Sequence, residues 1–225
     1  MDQHNQSKIV VGITGASGAA YATRLTSLAI AAGAEVHLVV SPLGRRLLHD
    51  ELGIENVDLE DLAGPGAVLL NPTHAEQPSS GGGVKLHAYR DVGAPIASGS
   101  FQHDGMIIIP CSSNSLAAIA TGVSQNLLHR AAHVTLKERR KLILVHRETP
   151  LSLIDINNMK SATEAGAMIL PANPGFYMMP NTVDAIIDFV VGRCLDHLGI
   201  QHDLNVRWAD QLARERAPDS DDAHE

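Results

Sequence analysis

KIVVGITGASGAAYA, residues 8–22, decides the fold. An apolar, β-branched run leads into a turn broken by Gly15 and Gly18, and a run of small residues follows. That order reads as a buried strand over 8–14, a tight turn, and a helix over 17–32. AEVHLVV (34–40) repeats the strand pattern and is stopped by Ser41-Pro42, with a helix expected over 42–52. A βαβα opening of this kind predicts a parallel sheet with helices on both faces.

The rhythm lapses over 64–83, GPGAVLLNPTHAEQPSSGGG, where Gly, Pro and Ser dominate and no period survives. A long surface loop is expected there. The α/β pattern then resumes. Strands are expected at 105–110, 141–146 and in AMILP (167–171), and helices at 116–139 (with a break near Gly122), 151–166 and 182–198. The chain therefore predicts a doubly wound sheet of five or six parallel strands in one domain over 8–209. Residues 1–7 and the acidic 210–225 are expected to be tails.

The 225 residues suffice for one substantial core. Aromatics are only 3%, so packing rests on Ala, Val, Ile and Leu. The formal net charge of −8, with the basic residues confined mainly to 130–147, argues against nucleic acid and for a small anionic ligand. Two cysteines make no disulfide framework, no signal-like segment precedes the first strand, and no apolar run is long enough to span a bilayer. The expected location is the cytoplasm, with no membrane partner.

In a doubly wound sheet, ligands bind beyond the carboxyl ends of the strands. That edge collects TGASG (14–18), VSPLG (40–44), PCSSNS (110–115) and HRETP (146–150). The glycine spacing is G-x-x-G-x-x-G, and no carboxylate ends the second strand, which disfavours NAD. No Gly-Lys-Ser/Thr follows, which disfavours a nucleoside triphosphate. The N–H groups opening the first helix, with the hydroxyls of Ser17, Ser41, Ser112, Ser113 and Ser115, suit a single phosphate. Flavin mononucleotide (FMN) fits that inventory. One such loop alone would mean only tight turning; several hydroxyl-rich loops on one edge favour a ligand.

Arg130 and Lys137, seven residues apart, share a helix face. With Arg147 and Arg193 they could bind a second phosphate, or LKERR could be a solvated helix end that complements the dipole, the reading taken for Arg139 and Arg140; for Arg130 and Arg147 both stay open. Glu148 at a strand end suits acid–base work, or simple pairing with an arginine. His129 and His133 have i, i+4 spacing but no evident third ligand, so no metal is expected. Cys111 directly follows a buried strand and makes a weak candidate nucleophile.

Several segments together resemble the UbiX-type flavin prenyltransferases: GITGASGAAYA, APIASGSF, PCSSNSLAAIATG, LLHRAAHVTLKERRKLILVHRETPLS, MILPANPGFY and DFVVGRCLDHLGI. The match runs from Lys8 almost to Trp208 apart from 64–83, and LKERR followed by RETPLS is its most specific part. The resemblance implies a Rossmann-like or flavodoxin-like three-layer α/β/α subunit of a homododecamer. It implies transfer of a dimethylallyl group from dimethylallyl monophosphate to N5 and C6 of reduced FMN, without a metal. The product would serve a UbiD-type decarboxylase.

Carried onto this chain, the resemblance assigns Gly15, Ala16, Ser17, Ser41, Ser112, Ser113, Asn114, Ser115 and Arg147 to FMN. It assigns Arg130, Lys137, Tyr177 and Arg193 to the prenyl phosphate. Ser17, Glu51, Lys137, Glu148 and Trp208 become catalytic residues. The base for ring closure is left between Glu148 and the released phosphate. Two other readings share the flavin loops: an FMN-dependent decarboxylase of peptidyl- or pantothenoyl-cysteine, and a non-catalytic flavin carrier. INNMKSA is a poor match to the substrate clamp of the former, and a carrier has no use for four phosphate-gripping side chains.

Overall fold

The computed structural model describes residues 6–55, 62, 68–69 and 82–204. Seven parallel strands form one sheet in the order β3-β4-β2-β1-β5-β6-β7. They are β1 (Lys8–Ile13), β2 (Glu35–Val40), β3 (Val68–Leu69), β4 (Gly83–His87), β5 (Gly105–Cys111), β6 (Leu142–His146) and β7 (Met168–Ile169). Among the described residues, the α-helices are α1 (Ala19–Ala31), α2 (Pro42–Leu52), α3 (Ser113–Ala120), α4 (Leu127–Lys137), α5 (Leu153–Glu164) and α6 (Val183–Leu198).

The expected count of five or six strands is corrected to seven. β3 lies inside the stretch read as a loop, and β4 directly follows it. Their composition hid them: β3 is two residues long and β4 reads GVKLH, neither long enough to show a period. β4 hydrogen-bonds to the edge of β2 and β3 to the edge of β4, where backbone pairing needs no sequence signature. The other expected strands and helices are present, with ends displaced by a few residues. The helix expected over 116–139 is two helices, separated at Gly122, which has φ +75°.

Central strands are buried on both faces because helices cover both. Ile9, Val11, Ile13, Ile107, Ile109, Ile143 and Val145 pack on one side against α1 and α6. Val10, Met106, Ile108, Leu142 and Leu144 pack on the other against α3, α4 and α5. Each fully buried Val or Ile contributes about 1.5–3 kcal/mol relative to exposure, which is how a chain poor in aromatics holds its core.

From β1 the chain winds one way through β2 and β4, and then the other way through β5, β6 and β7. Strand order therefore reverses between β1 and β5. Their carboxyl ends, carrying 14–18 and 112–115, border the crevice where such sheets take ligands.

Candidate functional site

The two loops at the crevice are tied to each other by Thr14. Its hydroxyl donates to the Pro110 carbonyl (2.7 Å) and accepts from the Ser112 N–H (2.8 Å). Two glycines in the first loop answer to geometry. Gly18 sits at φ +122°, closed to an L side chain without strain, and a Cβ on Gly15 would stand 2.5 Å from the Leu43 Cβ of α2. Ala16 is buried.

α1 starts at Gly18 without a side-chain cap of its own. Glu51, from the far end of α2, supplies it: its carboxylate accepts from Gly18 N–H (3.0 Å) and Ala19 N–H (2.7 Å). Two of the N–H groups expected to face a ligand phosphate, those of Gly18 and Ala19, thus have an acceptor within the chain. Burial works against the Glu51 charge, but the Ser17 hydroxyl and the two N–H groups outweigh it, helped by Arg147, and the pKa is lowered. Glu51 is therefore a carboxylate near neutral pH. Arg147, just beyond β6, donates from Nε to the Ser17 carbonyl (3.1 Å) and closes the triangle of Ser17, Glu51 and Arg147.

The serines divide by what their oxygens already do. Ser41 caps α2, accepting from Gly44 N–H (3.0 Å), and Ser112 caps α3, accepting from Ser115 N–H (3.3 Å). A capping oxygen uses a lone pair, so both hydroxyl protons remain available to a ligand. Ser113 instead pairs with His146 Nε2 (3.1 Å), beside Asp155. Asp155 completes the Ser152 capping box of α5, and its pKa falls to about 2 under the Ser152 hydroxyl, the Ser113 hydroxyl and the Ser152 N–H. Ser115 is buried against His129 Nε2 (3.1 Å). Asn114 is exposed. His146 and Asp155 were not singled out from the sequence; only the fold sets β6 beside α3.

The edge thus presents hydroxyl protons from two caps together with an arginine. Nε of Arg147 is committed, while the rest of its guanidinium has no partner among the described residues. That donor set fits a ligand rich in acceptor oxygens and carrying negative charge, as FMN is.

The four residues assigned to the second phosphate are not gathered by one chain. Arg130 and Lys137 lie on α4, on one face of the sheet, and Arg193 lies on α6, on the other. Tyr177 packs edge-on against Phe189 (5.7 Å between centroids), one turn from Arg193. Lys137 pairs with Glu138 and lines a groove of about 600 Å³ with His133, Arg139 and Glu164, which includes none of the other three. Arg193 pairs with Asp196 (3.3 Å). Glu148 is exposed at the β6 edge, its carboxylate accepting from the Thr149 N–H (3.1 Å). Trp208 lies outside the described residues. Cys111 is fully buried, and burial pushes its thiol up to about 12, which excludes a thiolate nucleophile at neutral pH.

Comparison with known proteins decides between the flavin readings. The Flavoprotein family model matches residues 1–195. Flavin prenyltransferase UbiX of Halalkalibacterium halodurans is 47% identical over 201 residues, spanning 89% of this chain and 93% of that protein. This chain belongs to the UbiX-type flavin prenyltransferases. Among solved structures, AnUbiX (PadA1) in complex with FMN and dimethylallyl pyrophosphate superposes with a TM-score of 0.76 at 37% identity, covering 88% of this chain and 94% of that one. A dodecameric FMN-dependent UbiX-like decarboxylase from Escherichia coli O157:H7 gives 0.76 at 38% identity, covering 89% and 98%. A PPC decarboxylase complexed with pantothenoylaminoethenethiol, at 19% identity and a TM-score of 0.52 over 76% of this chain and 84% of that one, shares the fold alone. Among the described residues no helix is long and apolar enough to cross a membrane.

Proposed function

We propose that this chain transfers a dimethylallyl group from dimethylallyl monophosphate to reduced FMN, yielding prenylated FMN for a UbiD-type decarboxylase. One observation carries the reading: the donor-rich crevice between β1 and β5, closed by Arg147 on Ser17, in a chain 47% identical to a flavin prenyltransferase.

When bound, reduced FMN supplies the nucleophilic N5 and the ring carbon C6. Ser41, Ser112 and Ser115, with Arg147, would hold it by hydrogen bonds to its oxygens, and the backbone of 15–17 would border it. Ionising an allylic phosphate concentrates negative charge on the leaving group. Arg130, Lys137, Arg193 and the Tyr177 hydroxyl are the groups to stabilise that charge. Because one chain separates them, neighbouring copies must complete the phosphate site, and a dodecamer like that of the Escherichia coli neighbour is the proposed assembly. Trp208 would offer an aromatic face to the allylic cation. Glu51, held ionised, adds a fixed negative charge beside Ser17. Glu148, at the same edge, or the released phosphate takes the proton lost on ring closure. The cytoplasm is the proposed location.

The test is anaerobic incubation of the full chain with reduced FMN and dimethylallyl monophosphate, followed by the mass of the extracted flavin. A gain of one dimethylallyl unit is expected. Unmodified flavin from protein that demonstrably binds it overturns the reading; the diphosphate, run in parallel, reports donor choice.

A further inference from the structure

Behind the serine loop, Ser115 ends a buried chain whose other two members, Asn126 and His129, the proposed reaction does not use. Asn126 caps α4, its Oδ1 accepting from the His129 N–H (2.9 Å), and its Nδ2 lies 3.0 Å from His129 Nδ1. His129 Nε2 in turn lies 3.1 Å from Ser115 Oγ. Asn126, His129 and Ser115 are respectively 9%, 7% and 5% exposed.

The direction of every proton in this chain follows from its first member. The His129 N–H can only donate, so the Asn126 atom facing it is the oxygen, and the atom facing Nδ1 is the amide nitrogen. An amide nitrogen only donates. His129 Nδ1 must then carry a lone pair, and the imidazole proton sits on Nε2. Nε2–H donates to Ser115 Oγ and occupies one of its lone pairs. The Ser115 proton is left over, and among the described residues no acceptor takes it.

We infer that Asn126 and His129 are positioning residues that fix Ser115 as a hydrogen-bond donor to an acceptor oxygen, carbonyl or phosphate, of the bound flavin. This inference rests on the FMN reading of the crevice. With the opposite tautomer, Ser115 would have to give its proton to His129 and would face the ligand only as an acceptor. Burial alone holds the His129 pKa low, with no charged side chain contributing, so the neutral ring is the working form. On its own helix, His133, one turn along, is turned to Ser124 (3.2 Å).

Asn126→Asp separates this role from a merely structural one. Asp caps helices as well as Asn, so α4 keeps its start. A carboxylate facing Nδ1 requires Nδ1–H, which strips the proton from Nε2 of the neutral ring and reverses the chain. FMN affinity of the full chain, read by quenching of flavin fluorescence, is expected to weaken about threefold to tenfold at pH 8. It should recover as pH falls and the ring, protonated on both nitrogens, again donates to Ser115. Ser115→Ala should weaken binding similarly without recovery. His129→Gln, whose amide can donate, should bind within about threefold of the unsubstituted chain, and His129→Leu should not.

Unchanged affinity of Asn126→Asp at every pH overturns the inference, as does a loss that ignores pH. Neutron diffraction from a deuterium-exchanged crystal gives an arm independent of flavin: deuterium on Nε2 and none on Nδ1 is expected, and the reverse refutes it. Failure of the unsubstituted chain to bind FMN would instead refute the flavin reading while leaving the tautomer measurable.

Discussion

Glu51 shows how one side chain can carry both architecture and charge. It closes the start of α1 from another helix, at hydrogen-bond distances of 2.7–3.2 Å. Glu51→Gln keeps one acceptor but loses the charge, and should cost about 1 kcal/mol, trimmed by solvent at this exposed position. The pH dependence has a definite sign. The folded pKa is lowered, so the stabilisation is present above the unfolded value of about 4.3 and is lost as pH falls through the folded value. Thermal melts of the two proteins should therefore converge in acid. At Gly15 the constraint is steric. Gly15→Ala must push α2 away from the loop, destabilising by about 1–3 kcal/mol; a melt and an FMN titration would both register it.

At the scale of elements, the carboxyl edge is built from capped helix starts. Ser41, Ser112, Asn126, Ser152 and Thr182 each accept from the backbone of the helix they open. Of the six helices α1–α6, α1 lacks such a side chain, and Glu51 fills the gap. The α5 box is the most complete, because Asp155 returns a bond to the Ser152 N–H (3.0 Å) while also lying beside His146 and Ser113. Ser152→Ala should destabilise the chain by about 1 kcal/mol and loosen the seat of Ser113. The check is a lowered melting temperature together with weaker FMN binding. Ser152→Thr, which can still cap, should restore both.

At the scale of the molecule, stability should fall in mild acid because of a buried histidine chain. His87 Nε2 lies 2.8 Å from His37 Nδ1, and His37 Nε2 lies 2.7 Å from Glu35. Burial, with the like charges of His37 and Lys85, lowers His87 to about 4; His37 is also lowered, chiefly by burial. The unfolded chain protonates near 6.5 while the folded chain resists. Stability is thus full above about pH 6.5 and declines towards pH 4, by about 1.4 kcal/mol per pH unit from His87 alone. Denaturant titrations from pH 7.5 to 4.5 measure it, and His87→Phe should flatten the slope. Association is the other molecular property. Leu153 and Ile154 are each 71% exposed in the single chain, as are Met179 at 79% and Phe176 at 69%. Ile154→Asp is expected to lower the assembly mass read by light scattering, and an unchanged mass would place the contact elsewhere.

The sequence by itself determined the layered α/β order, because alternating strand and helix patterns recur along the chain and strands buried on both faces read as unbroken apolar runs. It also determined which loops share the carboxyl edge, since parallel strands all end on the same side. Tertiary structure alone decided the rest. β4 exists because β2 offers an open edge, and β3 because β4 offers the next one, not because their few residues insist on a strand. Glu51 meets Gly18 across 33 positions, and Ser113 meets His146 across 33 more. The anion-ready start of α1 expected from the glycine turn proves to be filled from within, and the cations grouped by resemblance lie on opposite faces of the sheet. Periodicity is a property of neighbours along the chain and survives in the sequence. The direction of a hydrogen bond between distant side chains depends on where the backbone carries them, and only the folded chain sets that.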